Sequence, residues 1–516
     1  MTAPNAATTE STPDWESRVE PYHAAIVFGT ALLVRLWIIH AYPIIFGGDS
    51  IVRLYYHDRV LLSYQLPMLQ GAVHFIMGLT DDPLCIRYFT ALAGAGASVG
   101  FYYLCTRLLG RTSALAPAVW FAIHPFVVAY STVPYQEILM LAGLFFAFVF
   151  FFDERWWLAS LWLGFACLSR YEAWGAAAIL AGAYWLQHDR KTSEALKAVC
   201  LFGWAPLLWI AYHQGLSPSG SFVLDAAFNW DRLWRYVYLG YITVKDTPFP
   251  VFILAGFGVW QVWRQRLWNS PRYAALAIFV AAFGIAILFS GHGERDQPDR
   301  WVTAREAHIL FAATVFLAGL GFSRIRRGRA AIWIACVAVG LFMADRFVAR
   351  ETSDPHLQLS YSLATWIDSN VDEAEQVVIL TAPLPDNASE GFLNNAERTG
   401  GSPGRRQALA LLADINPAPP DFQRTVVHSR LGLAQLHNLS TVPLPERDRT
   451  AFADETRRLH GDRLLTRPPD WVAVWSDFKP TTDAETEIIN LIVIDQPVHT
   501  LTEGALSVQI FRLGEN

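Results

Sequence analysis

Charge is what this chain has least of: 17% of its 516 residues are Asp, Glu, Lys or Arg, against about 25% in soluble proteins. The deficit is uneven. Residues 1–350 hold long apolar runs, whereas the last third reads like an ordinary soluble sequence, which implies a membrane body followed by one soluble domain. A net charge of -6 gives no footing for nucleic acid. Cysteine is equally scarce. The five (Cys85, Cys105, Cys167, Cys200, Cys336) lie in or beside apolar segments, so no disulfide framework is available to the polar C-terminal third. The N-terminus, MTAPNAATTESTPDW, lacks the basic start and short apolar core of a cleavable signal, so the first apolar segment is expected to remain as a span.

What the chain does have is apolar length: 53% hydrophobic residues, 14% aromatic, 20 of them Trp. A helix needs about 20 mostly apolar residues to cross a bilayer. Segments 22–45, 87–107, 112–131, 135–152, 156–169, 173–187, 196–215, 248–263, 273–290, 305–322 and 330–348 qualify, about eleven in all, with the border between the fifth and sixth the least distinct. Alternate loops carry Arg107/Arg111, Arg155, Arg190/Lys191/Lys197, Arg264/Arg266/Arg272 and Arg324/Arg326/Arg327/Arg329. Short basic loops stay in the cytoplasm, so residues 1–21 form a cytoplasmic tail, 22–350 a multi-pass body in the cell membrane, and 351–516 an extracytoplasmic domain.

The remaining loops differ in kind. Residues 46–86 contain SIVRLYYHDRVLLSY and LPMLQGAVHFIMGL, too polar to span and suited to lie along the membrane interface. Loop 216–247 is aromatic-rich and also interfacial, and 291–304 is compact and charged. The tail mixes helical stretches (HLQLSYSLATWIDSN, RRQALALLADIN) with strand-like runs (QVVILTA, DWVAVWS, IINLIVID, ALSVQIFRL), the pattern of a small α/β domain. No internal repeat stands out.

Four polar groups fall on the outer side, where charge at the end of an apolar helix is costly. Gly47-Gly48-Asp49-Ser50 follows the first span; Asp49 either caps the next helix or, poorly solvated, acts as a base. Tyr135-Gln136-Glu137 opens the fourth span, where an anion also complements a helix N-terminus. Arg170-Tyr171-Glu172 separates spans five and six, and its charges either pair with each other or hold an anionic ligand. Arg305 and His308 lie one helical turn apart at the mouth of span ten, beside Arg300, which reads as an interfacial anchor. The glycine-rich run Gly94–Gly100 follows no strand, so it reads as close helix packing and not as a nucleotide loop. His57, Asp58 and His74 match no tight metal-ligand spacing.

In joint order and common sidedness these residues resemble the GT-C superfamily of membrane glycosyltransferases, particularly the branch with protein O-mannosyltransferases and aminoarabinose transferases. The resemblance covers residues 22–350. It rests on the acidic residue after span one, the two interfacial helices of the first loop, the Pro…Tyr-Gln-Glu opening of span four, and Ser169-Arg170-Tyr171-Glu172-Ala173-Trp174. It implies a polytopic all-α membrane domain of GT-C type with a C-terminal soluble α/β domain, a polyprenyl-phosphate sugar donor, and a protein, lipid or glycan acceptor. Asp49 would be the catalytic base of an inverting transfer. Arg305, with Arg170 second and His308 beside it, would take the donor phosphate. Glu137, Tyr135, Tyr171, Glu172, Ser50 and His74 would support the acceptor or the arginines. Many members carry a second acid where Ser50 stands, so a divalent metal is left open and no cofactor is assigned. Two other readings stay open: a transporter or flippase of lipid-linked sugars, and a membrane-anchored binding protein.

Overall fold

A computed structural model of the chain describes residues 22–46, 50, 53–54, 60, 66–80, 82, 84–188, 190–216, 234–289, 307–325, 327–353, 355–370, 377–380, 426–428, 471–476 and 496–512. The body is helical throughout: α1 (His23–Ala41), α2 (Pro67–Met77), α3 (Leu84–Leu109), α4 (Arg111–Ala122), α5 (Pro125–Ala129), α6 (Gln136–Phe152), α7 (Trp156–Cys167), α8 (Ala173–Gln187), α9 (Thr192–Leu216), α10 (Trp234–Asp246), α11 (Phe249–Gln265), α12 (Pro271–Phe289), α13 (His308–Phe322) and α14 (Arg329–Thr352). Each of the eleven apolar segments predicted from sequence carries helix, and 112–131 carries two, α4 and α5. Four stretches, His23–Ala41, Leu84–Leu109, Thr192–Ala211 and Arg329–Thr352, are long and apolar enough to cross a membrane on those grounds alone. Exposed apolar side chains such as Leu33, Trp37, Leu161, Leu207, Phe257 and Phe342 face outward from the bundle, as a hydrocarbon solvent permits and water does not.

The helix pattern follows from composition. α6 (QEILMLAGLFFAFVFFF) is apolar all round after its first turn and is buried along nearly its whole length, packed between α3 and α7. α2 is amphipathic: Leu69, Gln70, Val73 and Met77 are buried while Phe75 and His74 are exposed. α11 and α13 pack at close range because glycine lets them. A methyl group on Gly258 would fall on the Leu317 carbonyl, and one on Gly321 on that of Leu254. Gly94 does the same service for α3, where its bare Cα faces Arg35 and Ser131.

The two ends of the bundle have different chemistry. At the C-terminal ends of α3 and α6, Arg107 forks onto Asp153 (Nε to Oδ1 2.7 Å, Nη2 to Oδ2 2.6 Å), and Tyr273 at the start of α12 donates to the Leu108 carbonyl at 2.9 Å. The opposite ends of the same two helices carry the buried charges described below.

After α14, helix α15 (Pro355–Asn370) precedes strands β1 (Val377–Leu380), β2 (Val426–His428), β3 (Trp471–Trp475), β4 (His499–Glu503) and β5 (Leu506–Arg512). The sheet order is β2-β1-β3-β5-β4. The first three strands run parallel (Val377 opposite both Val426 and Trp471), and the last two are antiparallel (Trp471 opposite Arg512, His499 opposite Ile510). Gly504 makes the β4–β5 turn at φ 60°, a left-handed conformation that glycine adopts without strain. Trp366 of α15 stacks on His499 (5.7 Å) and meets Trp471 edge-on (5.4 Å), which seats the helix on the sheet. Strands β1, β3 and β5 and helix α15 lie in segments expected to form them. RRQALALLADIN and IINLIVID lie outside the described residues.

Candidate active site

The site is built where three chain breaks meet: the start of α6, the turn between α7 and α8, and the first loop with α2. Tyr135 approaches α6 in extended conformation, so Glu137 falls in its first turn, where the unpaired N–H groups favour an anion. α7 ends at Cys167. Residues 168–172 then form a tight turn, with the Arg170 N–H on the Ala166 carbonyl (3.0 Å) and the Ser169 hydroxyl on the Phe165 carbonyl (2.8 Å). This turn projects Arg170 toward α6.

Arg170 bridges two carboxylates. Nη1 donates to Glu137 Oε1 at 2.5 Å; Nε lies 3.0 Å from both oxygens of Glu172, and Nη2 donates to Glu172 Oε1 at 2.6 Å. Glu137 is fully buried, and the side chains of Arg170 and Glu172 are 13% and 19% exposed. Burial pushes the Glu172 carboxyl up. The Arg170 charge and hydrogen bonds, with His308 nearby, outweigh it and hold the group down at about 2. Among the described residues the cluster thus sets two carboxyl groups around one guanidinium. An ionised carboxylate such as that of Glu172 accepts through two oxygens, which suits hydroxyl donors as well as a guanidinium.

His308 opens α13, buried, with its ring beside Phe126 (6.3 Å) and Phe283 (5.5 Å). Tyr171 stacks edge-on against Trp174 at 5.1 Å and accepts from Trp209 Nε1 at 3.2 Å. Tyr135 is buried against Tyr130, ring centroids 4.8 Å apart. Ser50 is fully buried with its hydroxyl unpaired among the described residues. His74 lies on the exposed face of α2. Asp49 and Arg305, the expected base and first phosphate ligand, lie outside the described residues, as do His57 and Asp58. Glu137, Arg170 and Glu172 are thus in direct contact, with His308 in electrostatic reach.

Sequence reasoning missed Arg53, which sets the first loop against α6. Its Nη2 donates to Gln136 Oε1 at 2.5 Å, and its carbonyl accepts from Gln70 of α2 at 3.3 Å. Met68 of α2 donates its N–H to the Leu168 carbonyl at 3.1 Å, joining α2 to the α7–α8 turn. The signal was present: Arg53 is a lone cation in SIVRLYY, on a segment otherwise read only as interfacial. Among the described residues no group of three or more His, Cys, Asp or Glu is placed to hold a metal ion.

Neither a protein-family model nor a curated protein sequence matches the chain. Solved structures do. ArnT from Cupriavidus metallidurans in the apo state is 10% identical and superposes over 94% of this chain and 97% of its own, with a TM-score of 0.56. The same protein bound to undecaprenyl phosphate is 9% identical over 97% and 98%, at 0.53. The chain shares the fold of ArnT. The match runs nearly end to end in both proteins, so it includes the tail as well as the ArnT-like bundle. The Archaeoglobus fulgidus oligosaccharyltransferase in the apo form is 12% identical over 88% of this chain and 69% of its own. Its TM-score of 0.47 is too low to argue from.

Proposed function

We propose that the chain is a multi-pass membrane glycosyltransferase that moves a sugar from a polyprenyl-phosphate donor to an acceptor on the outer face. The observation that carries the reading is the buried Glu137–Arg170–Glu172 cluster at one end of an ArnT-fold bundle. Buried charge is rare in membrane bodies and marks function, and an ArnT structure of this fold is bound to undecaprenyl phosphate. In this reading all eleven apolar helices cross the bilayer, residues 1–21 lie inside, and the C-terminal domain lies outside. The donor's lipid stays in the hydrocarbon while its phosphate and sugar reach the site.

The acceptor hydroxyl attacks the anomeric carbon as Asp49 takes its proton, and the lipid phosphate leaves. One displacement with a single base inverts configuration, unlike the two-carboxylate retaining route. Arg305, with His308 and secondarily Arg170, stabilises charge building on the departing phosphate. Glu137 and Glu172 hold Arg170 in place and offer acceptor atoms to sugar or acceptor hydroxyls, with Tyr135, Tyr171, Ser50 and His74 in support. The acceptor class (protein, lipid or glycan) and a divalent metal are left open. The test is Asp49→Asn, assayed with a panel of undecaprenyl-phosphate sugars. Transfer should be abolished while expression and undecaprenyl-phosphate binding persist; an active variant removes Asp49 as base.

A further inference from the structure

Arg87 is a cation buried in the helical body. It lies in the first turn of α3, the end of a helix that repels a cation. It is 2% exposed, and among the described residues it pairs with no carboxylate. Its guanidinium instead donates three hydrogen bonds, all to backbone carbonyls: Nε to Thr132 at 2.8 Å, Nη1 to Pro43 at 2.9 Å and Nη2 to Tyr42 at 2.9 Å. A cation held this way has carbonyl dipoles to offset its desolvation.

The three carbonyls belong to the two segments that build the site. Tyr42 and Pro43 begin the first loop, whose Ile44, Ile45 and Phe46 are buried and whose Arg53 reaches Gln136. Thr132 lies five residues before Glu137, on the approach to α6. These carbonyls lie outside the regular helices, where the backbone has no ladder to satisfy it. A planar fork with donors in fixed directions is the one side chain able to fix both at once. Tyr42 is pinned a second time, its hydroxyl donating to Asp345 of α14 at 2.7 Å.

We propose that Arg87 is a positioning residue: it fastens the start of the first loop to the approach of α6, and so sets the register in which Arg53 meets Gln136 and Glu137 meets Arg170. The inference rests on the reading of that cluster as a glycosyltransferase site. Its structural half is separable from it.

The experiment is Arg87→Lys in the full-length protein. Lysine keeps a positive charge but cannot bridge two segments with a fork. Hydrogen exchange should rise in peptides covering 42–54 and 130–140. With an undecaprenyl-phosphate sugar donor, kcat should fall about ten- to a hundredfold with little change in KM, as displacement of a reacting group requires. Arg87→Ala should regain part of its turnover in added guanidinium, which a general packing defect would not. Arg107→Lys, at the other end of the same helix, should leave both peptides and kcat unchanged. Unaltered exchange in Arg87→Lys, or equal loosening in Arg107→Lys, overturns the positioning role. Absence of transfer by the unmodified protein would instead count against the glycosyltransferase reading, while the exchange result still decides Arg87.

Discussion

Arg170 divides its guanidinium between Glu172, two residues on, and Glu137, 33 residues back. The first partner was legible in the sequence, because two opposite charges in a short polar break between apolar runs have few other places to go. The second was not, since pairing across a whole helical hairpin is a property of packing. Arg35 and Arg87 were further out of reach. Arg35 is buried in α1, bonded to Ser131 Oγ at 2.6 Å and to the carbonyls of Ala31 (2.7 Å) and Ala122 (3.0 Å). Backbone acceptors leave no mark in a sequence. The Glu172 pairing predicts a pH signature. Its carboxyl is held near 2 in the folded protein, below the roughly 4.3 of an unfolded Glu. The stabilisation is therefore fully present above the unfolded value and is lost as pH falls from there through the folded one. Glu172→Gln should melt lower than the unmodified protein at pH 7, a cost of about 1–3 kcal/mol for the lost charged hydrogen bonds. The gap should narrow as pH is lowered from 5 toward 2. Thermal melting in detergent at a series of pH values measures it, and a gap independent of pH would mean that Glu172 is not held ionised.

At the scale of elements, apolar runs predicted helices well because length and hydropathy decide them before packing does. The indistinct border between segments five and six proved to be the 168–172 turn, with α7 ending at Cys167 and α8 starting at Ala173. β2 and β4 were not foreseen: VVH is too short to carry a period, and HTLTE is a polar, exposed edge strand. Helix–helix distance is another matter, because it is set by residues that contribute almost nothing to hydropathy. Gly258 lies where any Cβ meets the backbone of α13 at Leu317. A main chain cannot rotate aside as a side-chain tip can. Gly258→Ala should force α11 and α13 apart and destabilise by about 1–3 kcal/mol, the usual penalty for overpacking. Gly256→Ala, with open space around it, should change little and gain slightly in helix propensity. Melting of the two variants side by side tests this; equal loss in both would mean that the close α11–α13 contact is not what glycine provides.

For the whole molecule, the open question of greatest consequence is which way the bundle faces. The Glu137–Arg170–Glu172 cluster lies at the start of α6, and the basic pair Arg107/Arg111 flanks the other end of α3. Loops rich in Lys and Arg stay inside, so the proposed orientation has the cluster outside and, with α14 ending on the cluster's side, the sheet domain outside too. Tyr361 of α15 packs onto the helical body, so that domain is joined to the site end. Two single cysteines in a cysteine-free background decide the matter: Thr502→Cys on the exposed edge strand β4, and Lys191→Cys in the exposed turn before α9. A membrane-impermeant maleimide applied to intact cells should label position 502 and spare 191, which should react only after permeabilisation. The reverse pattern would put the Glu137–Arg170–Glu172 cluster on the cytoplasmic side. It would then require a donor whose phosphate and sugar lie in the inner leaflet, and the outer-face transfer proposed here could not operate.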